Sequence, residues 1–285
     1  MPKITVDYIS DLHIETRPYS VGDILQAFAS LEKRGQYCVL AGDISPMVDW
    51  QDETGVHRLL KVLCSNYEQV FYCIGNHELY KAHELAVYHN PSNFCDRLNK
   101  ETINIRTNLD WYNKLTMPSL YNKEFVDLPL GAISTWKTKD VIFYVINDWY
   151  GLPADYPQIR INDARQITNL RIEYEDLTSH LRKGADFAWQ SVLENSKQYP
   201  DHKKVIVSHF LPNKKSISHE YKRSPYNAYF LVDRTEEIKE AGIDLFIHGH
   251  THMPVSYKLG KTKVVANPLG YPFEGNELVI KQITI

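Results

Sequence analysis

Over the first eighty residues, short apolar runs alternate with stretches of helical periodicity. Ile4–Ile9 reads as a strand, Val21–Lys33 as a helix, Tyr37–Ala41 as a second strand and Gln69–Ile74 as a third. Asp52–Ser65 reads as a helix because Val56, Leu59, Leu60 and Leu63 recur at helical spacing on one face. Strands alternating with helices imply parallel pairing, with the helices packed on a sheet face. From about Asn90 to Tyr156 the pattern weakens. Asn, Pro and aromatic residues dominate there, Pro118 and Pro129 mark turns, and only Ile103–Arg106 and Val141–Ile146 stand out as strands. Regularity returns with a helix near Ser179–Gln198, a strand at Lys204–Val207, a helix around Thr235–Ala241 and a strand at Asp244–Ile247. Three short strands close the chain, Val255–Tyr257, Lys263–Ala266 and Leu278–Ile283, and the turn residues between them predict antiparallel hairpins. Two sheets packed face to face with helices outside accommodate both halves.

Five of these strands run directly into polar clusters. The first ends in Asp11-Leu12-His13, the second in Gly42-Asp43 and the third in Gly75-Asn76-His77-Glu78. Lys204–Val207 ends in Ser208-His209, and Asp244–Ile247 in His248-Gly249-His250-Thr251-His252. Open α/β sheets bind ligands beyond the carboxyl ends of their strands, so residues as distant in sequence as Asp11 and His252 are expected to converge. A structural, hydrogen-bonded residue is the better explanation of any one cluster; five in succession point to a site. Asp, Asn and His supply mixed oxygen and nitrogen donors, which suit Mn, Fe or Zn rather than Ca. No cysteine takes part, so a closed structural zinc site is not expected. Two acids, one amide and four imidazoles (His13, His209, His250 and His252) exceed the needs of one catalytic ion. They fit two ions sharing a carboxylate, a pair able to hold a hydroxide nucleophile and to neutralise phosphoryl oxygens.

Together these motifs resemble the signature of the calcineurin-like metallophosphoesterase superfamily, D-x-H, G-D, G-N-H-(D/E), a later His, and G-H-x-H. The resemblance implies a four-layer α-β-β-α sandwich, one domain over 1–285 with an irregular insertion around 90–160. It implies that Asp11, His13 and His252 bind one metal, that Asn76, His209 and His250 bind the other, and that Asp43 bridges them. Mn2+ is the foremost candidate, with Fe, Zn or Ni as alternatives. His77 would stay off the metals and donate to the substrate phosphate or the leaving oxygen, with Glu78 tuning its charge. A narrower resemblance, to a prokaryotic and phage-type single-domain subgroup, rests on Ile161-Asn162-Asp163, Pro212–Ile217 and Ala266-Asn267-Pro268-Leu269-Gly270-Tyr271. After Gly42-Asp43 the chain reads Ile-Ser-Pro-Met-Val-Asp-Trp, without the arginine motif of the protein Ser/Thr phosphatases.

Composition changes this picture little. At 43% hydrophobic and 24% charged, the chain is neither disordered nor fibrous. The net charge of −3 excludes an extended basic face for coating duplex nucleic acid, although two divalent ions would locally reverse it. The longest apolar runs are strand-sized, so no membrane span is expected, and Asp7 interrupts any signal-peptide core. Cys38, Cys64, Cys73 and Cys95 form no CxxC pair, and the expected location is cytoplasmic. Lys214, Lys215, Lys222 and Arg223 follow His209, either guiding a polyanionic substrate or forming a solvated loop. Tyr221, Tyr226 and Tyr229 offer stacking surfaces or ordinary packing, and Asn162 and Arg165 either line the rim or are plain surface residues. His248 reads as either a donor behind the ligands or a satisfied core histidine. The expected activity is hydrolysis of phosphate mono- or diesters, of nucleotides or other small phosphoesters, by attack of a metal-bound hydroxide. The alternatives are a nuclease acting on DNA or RNA, and a non-catalytic scaffold, which the complete set of ligands argues against.

Overall fold

The structure, a computed structural model, describes residues 3–16, 19–46, 55–80, 105–107, 133–149, 161–167 and 174–285. Most of the expected insertion around 90–160, and Cys95 within it, lie outside the described residues. The first sheet holds β1 (Thr5–Ile9), β2 (Tyr37–Ala41), β3 (Gln69–Cys73), β4 (Ile105–Thr107) and the last strand, β11 (Lys281–Thr284), in the order β11-β1-β2-β3-β4. The second holds β5 (Ile133–Lys137), β6 (Val141–Ile146), β7 (Lys203–Val207), β8 (Leu245–His248), β9 (Val255–Leu259) and β10 (Thr262–Ala266), in the order β5-β6-β7-β8-β10-β9. The middle of each sheet is parallel, and the antiparallel strands β11, β5 and β9 sit at edges.

Alternate strand residues face opposite layers, and three apolar clusters fill the three gaps of a four-layer sandwich. Outside the first sheet, Cys38, Leu40, Val70 and Tyr72 meet Val21, Ile24 and Phe28 of α1 (Val21–Ala29) and Leu59, Leu60 and Leu63 of α2 (Val56–Cys64). Between the sheets, Tyr37, Val39, Ala41 and Phe71 meet Phe143, Val145, Val205 and Val207, with the Phe71 and Phe143 rings stacked at 4.0 Å. Outside the second sheet, Tyr144, Ile206 and Phe246 meet Trp189 and Val192 of the helix Tyr174–Gln198 and Ile238 of the helix Thr235–Ala241. Each such fully buried side chain contributes on the order of 1.5–3 kcal/mol, and together they hold the strand ends in fixed positions.

Two expectations need correction. Helix α1 ends at Ala29, not Lys33: the Ser30 hydroxyl donates to the Gln26 carbonyl, and Leu31 instead packs against the first apolar cluster. Of the three closing strands, only β9 and β10 form a hairpin. β10 also pairs in parallel with β8, and β11 crosses to the first sheet to pair with β1. That crossing carries the tail segment Asn267–Gly270 past the ends of both sheets, where the backbone N–H of Gly270 donates to the Asp11 carbonyl.

Candidate metal centre

Asp11 and His13 follow β1, Asp43 follows β2, Asn76 and His77 follow β3, His209 follows β7, and His250 and His252 follow β8. Asp11, His13, Asp43, His250 and His252 have left-handed backbone, at φ 52°, 43°, 53°, 65° and 48°, and are the non-glycine residues among those described that do. Each such conformation costs on the order of 1–3 kcal/mol and persists only where its surroundings enforce it. Here the turns are tied to one another: the Asp11 N–H donates to the Gly42 carbonyl at 2.9 Å and the His13 N–H to the Asp43 carbonyl at 3.1 Å. Two glycines permit the close approach. A Cβ on Gly249 would lie 2.6 Å from the Ala41 carbonyl and 2.7 Å from an Asp11 carboxylate oxygen, and one on Gly75 would collide with Asp43.

Three donor groups result among the described residues: Asp11–His13–His252 and Asp43–His209–His250, which gather expected ligands, and His13–Glu15–His77, each with its ligand atoms within 4.8 Å of one another. The outward nitrogens of three imidazoles are engaged, which fixes the tautomer and turns Nε2 inward. His13 Nδ1 meets Glu15 at 3.3 Å, His209 Nδ1 donates to the Ala41 carbonyl at 2.8 Å, and His252 Nδ1 meets Glu274 at 2.9 Å. His13 Nε2 and His252 Nε2 converge to 3.1 Å, and His250 Nδ1 lies 3.3 Å from His209 Nε2. One Asp43 oxygen, Oδ2, lies 3.4 Å from His209 Nε2 and 3.9 Å from His13 Nε2, between the first two groups. Asn76 donates through Nδ2 to Asp163 at 2.8 Å, whereas its Oδ1 is buried without a hydrogen-bond partner. A buried orphan acceptor is costly unless a ligand satisfies it. This orphan oxygen and the mixed O/N donor sets fit divalent cations of the Mn, Fe and Zn type.

Burial presses the His209 pKa down, but Asp43 and Asp11 hold it up at about 9. His252, also pressed down by burial, is held at about 10 by its bonds to Asp11 and Glu274. Burial pushes Asp11 up, yet His252 and His209 bring it to about 2. His250 is depressed by burial and by His209 to about 3, so it stays neutral. Without metal the carboxylates therefore gather protons on His209 and His252, and a divalent cation would replace them, releasing protons as it binds.

His77 lies beside this cluster. Burial lowers its pKa, but Asp43 and Glu15 outweigh burial and raise it, which favours the donating form. Its hydrogen-bonded carboxylate is Glu15, 3.1 Å from Nδ1, and its Nε2 meets the Tyr271 hydroxyl at 3.0 Å. Glu78 makes no hydrogen bond to His77, although its charge is a lesser contribution to the raised pKa. Glu78 instead accepts from the backbone N–H groups of Asp43, Ile44 and Gly75 at 3.0, 2.7 and 2.8 Å and from the Tyr72 hydroxyl. It shapes the Asp43 turn, and burial followed by Asp43 raises its pKa to about 7.

A cavity of about 420 Å³ opens from the candidate ligands, and Asn162 and Tyr226 are among the residues that line it. Lys214 and Lys215 do not line it: both are exposed, and Lys215 Nζ reaches the Lys258 carbonyl at 3.5 Å. The segment preceding them is pinned by Asn213 to Asp233 and Thr235, which turns the lysines outward. Arg165 belongs to the helix Asn162–Gln166, and its side chain lies outside the described residues. His248 is a satisfied core histidine: Nδ1 donates to its neighbour Gly249 and Nε2 accepts from the Ser216 hydroxyl, each at 2.8 Å. Glu15, Tyr80 and Glu274 escaped the sequence reading, and Tyr271 entered it only as the end of a motif, with no role at the site. Only Glu15 left a signal, two positions beyond His13 in the same cluster.

No helix among the described residues is long and apolar enough to cross a membrane. In fold the chain is similar to phosphopantetheinyl hydrolase from Mycobacterium tuberculosis, at 16% identity and a TM-score of 0.61 over 99% of this chain and 96% of that one. It is also similar to TT1561 of Thermus thermophilus, at 12% identity and a TM-score of 0.51 over 99% of each chain. No curated protein sequence matches it. The sequence profile of the calcineurin-like phosphoesterases matches residues 4–254, a span that begins at β1 and takes in every turn of the cluster through His252. With that match the donor groups acquire a chemistry: the chain belongs to the calcineurin-like phosphoesterase family and is a metal-dependent phosphoester hydrolase.

Proposed function

We propose that the chain hydrolyses small organic phosphoesters with a pair of divalent cations, Mn2+ foremost. Asp11, His13 and His252 would hold one ion and Asn76, His209 and His250 the other, with Asp43 shared between them. When bound, such ions supply an activated water nucleophile and neutralise the phosphoryl oxygens. The chain's own residues do the rest. Glu15 holds His77 Nδ1, which leaves Nε2 to donate a proton to the leaving oxygen once substrate displaces the Tyr271 hydroxyl. Glu274 and the Ala41 carbonyl keep His252 and His209 turned inward. The observation that carries this reading is the coincidence of the strained left-handed positions with the donor residues.

The test is a substrate panel with purified protein and Mn2+, Fe2+, Zn2+ or Ni2+: 4-nitrophenyl phosphate, its bis-ester, cyclic nucleotides and single-stranded DNA. Turnover of a small ester with one or more of these metals supports the proposal. Turnover confined to DNA would replace it with the nuclease reading, and no turnover of anything would overturn it. His77→Ala is expected to keep metal and lose most of the rate on a poor leaving group.

A further inference from the structure

Resting on the phosphoesterase reading above, we infer that the substrate carries a single phosphate on an uncharged, flat ring group, and that the group binds in the cavity beside the donor cluster. The cavity's about 420 Å³ is near the lower end of small-ligand sites. It has room for one ring system and a sugar-sized spacer.

Its surface is aromatic from the ligands outward. The Phe230 ring lies 4.2 Å, centroid to centroid, from the His250 imidazole, so apolar surface begins at the cluster itself. Ile217, Leu231 and Tyr226 extend that wall. On another side Tyr80 stacks on His77 at 4.1 Å. Large apolar side chains exposed to solvent gather here: Tyr226 at 43% and Tyr221 at 56% line the cavity. Phe273, at 84%, stacks on the cavity-lining Tyr271 at 5.5 Å. Aromatic faces left uncovered around a site suit a stacking ligand.

Charge sets the second half of the inference. Among the described residues lining the cavity there is no lysine or arginine, and the acids Asp43, Asp163 and Glu274 are present. One phosphate can sit on metal beside His77, whereas a second would find no lysine or arginine among the described residues of the lining. Asn162 and Asn227 supply amide groups on the lining, so the ring group is expected to carry hydrogen-bonding edges, unlike a plain alkyl chain.

The Mn2+-loaded full chain would be tested on the adenosine 2′-, 3′- and 5′-monophosphates, adenosine 5′-triphosphate, ribose 5-phosphate, glycerol 3-phosphate and 4-nitrophenyl phosphate. Stacking of one ring is expected to raise kcat/KM for the best adenosine monophosphate over the ring-free esters by about 5- to 150-fold. The triphosphate should be the poorer nucleotide. Tyr226→Ala should shrink that ratio through KM, and calorimetry should show adenosine alone binding wild type more tightly than the variant. 4-Nitrophenyl phosphate, whose activated leaving group speeds turnover whatever the cavity binds, serves only to show that the chain is active. Equal kcat/KM for ring-bearing and ring-free esters, or a preference for the triphosphate, would overturn it while leaving the phosphoesterase reading intact. No turnover of any ester, 4-nitrophenyl phosphate included, would instead remove the reading beneath it.

Discussion

Replacing Glu15 removes a carboxylate that serves two imidazoles at once, His13 at 3.3 Å and His77 at 3.1 Å, both through Nδ1. Glu15→Ala leaves both rings free to rotate and to change tautomer, so His13 Nε2 no longer faces the donor group of Asp11 and His252 by default. Loss of a hydrogen-bonding partner behind a metal ligand costs about 10- to 100-fold in affinity, or about 1.4–2.7 kcal/mol. Both rings meet the same oxygen, Oε1, so Glu15→Gln keeps an acceptor for them and loses the negative charge, and it should fall between the two. Calorimetric titration with Mn2+ reads the affinity, and hydrolysis of 4-nitrophenyl phosphate reads the consequence for His77. The expected order of affinity is wild type, then Glu15→Gln, then Glu15→Ala. Wild-type affinity and rate in Glu15→Ala would refute the reasoning.

Other perturbations separate the site from its scaffold. Gly249→Ala forces a Cβ to within 2.6 Å of the Ala41 carbonyl and 2.7 Å of Asp11, so metal affinity should drop along with about 1–3 kcal/mol of stability, measured by titration and denaturant unfolding. Arg234 donates to Asp148 at 2.9 and 3.0 Å with both side chains buried, so Arg234→Met should destabilise by about 3–5 kcal/mol in urea by stranding Asp148. His248 is depressed by burial to about 4, so the unfolded chain takes its proton first as the pH falls. Stability from this group is present above its ordinary value of 6.5 and is lost between 6.5 and about 4. By about pH 5 the loss is about 2 kcal/mol, and His248→Gln should show a pH–stability profile flatter by that amount.

Much of the fold was legible because its strands are fully buried and read as continuous apolar runs; Tyr37–Ala41 and Val141–Ile146 are observed with the expected bounds. β5 was not legible, since Ile133–Lys137 is a half-exposed edge strand with weak contrast between its faces. The pairing of β11 with β1 was equally hidden, because nothing local to Lys281–Thr284 specifies a partner at the other end of the chain. The candidate ligands stood out because each follows a strand directly, where the turn leaves the side chain at the sheet's end. Glu78 acts on His77 through its charge, as adjacency suggested, but makes no hydrogen bond to it. It follows His77 within a 3-10 turn, so the two side chains diverge and Glu78 turns back onto backbone N–H groups. The actual partners of His77 come from Glu15 and Tyr271, and the latter lies 194 positions away, beyond the reach of any local pattern.

Asp11, His13, Asp43, Asn76, His209, His250 and His252 are proposed to hold two ions that the hydrolysis requires. Equilibrium dialysis of the purified chain against Mn2+, with bound metal counted by atomic emission and 4-nitrophenyl phosphate hydrolysis followed on the same samples, tests that proposal most directly. Two ions per chain are expected, with activity rising as the sites fill, and Asp43→Asn should lose metal and activity together. Hydrolysis that persists in wild type stripped of metal, or full metal and full activity in Asp43→Asn, would contradict it.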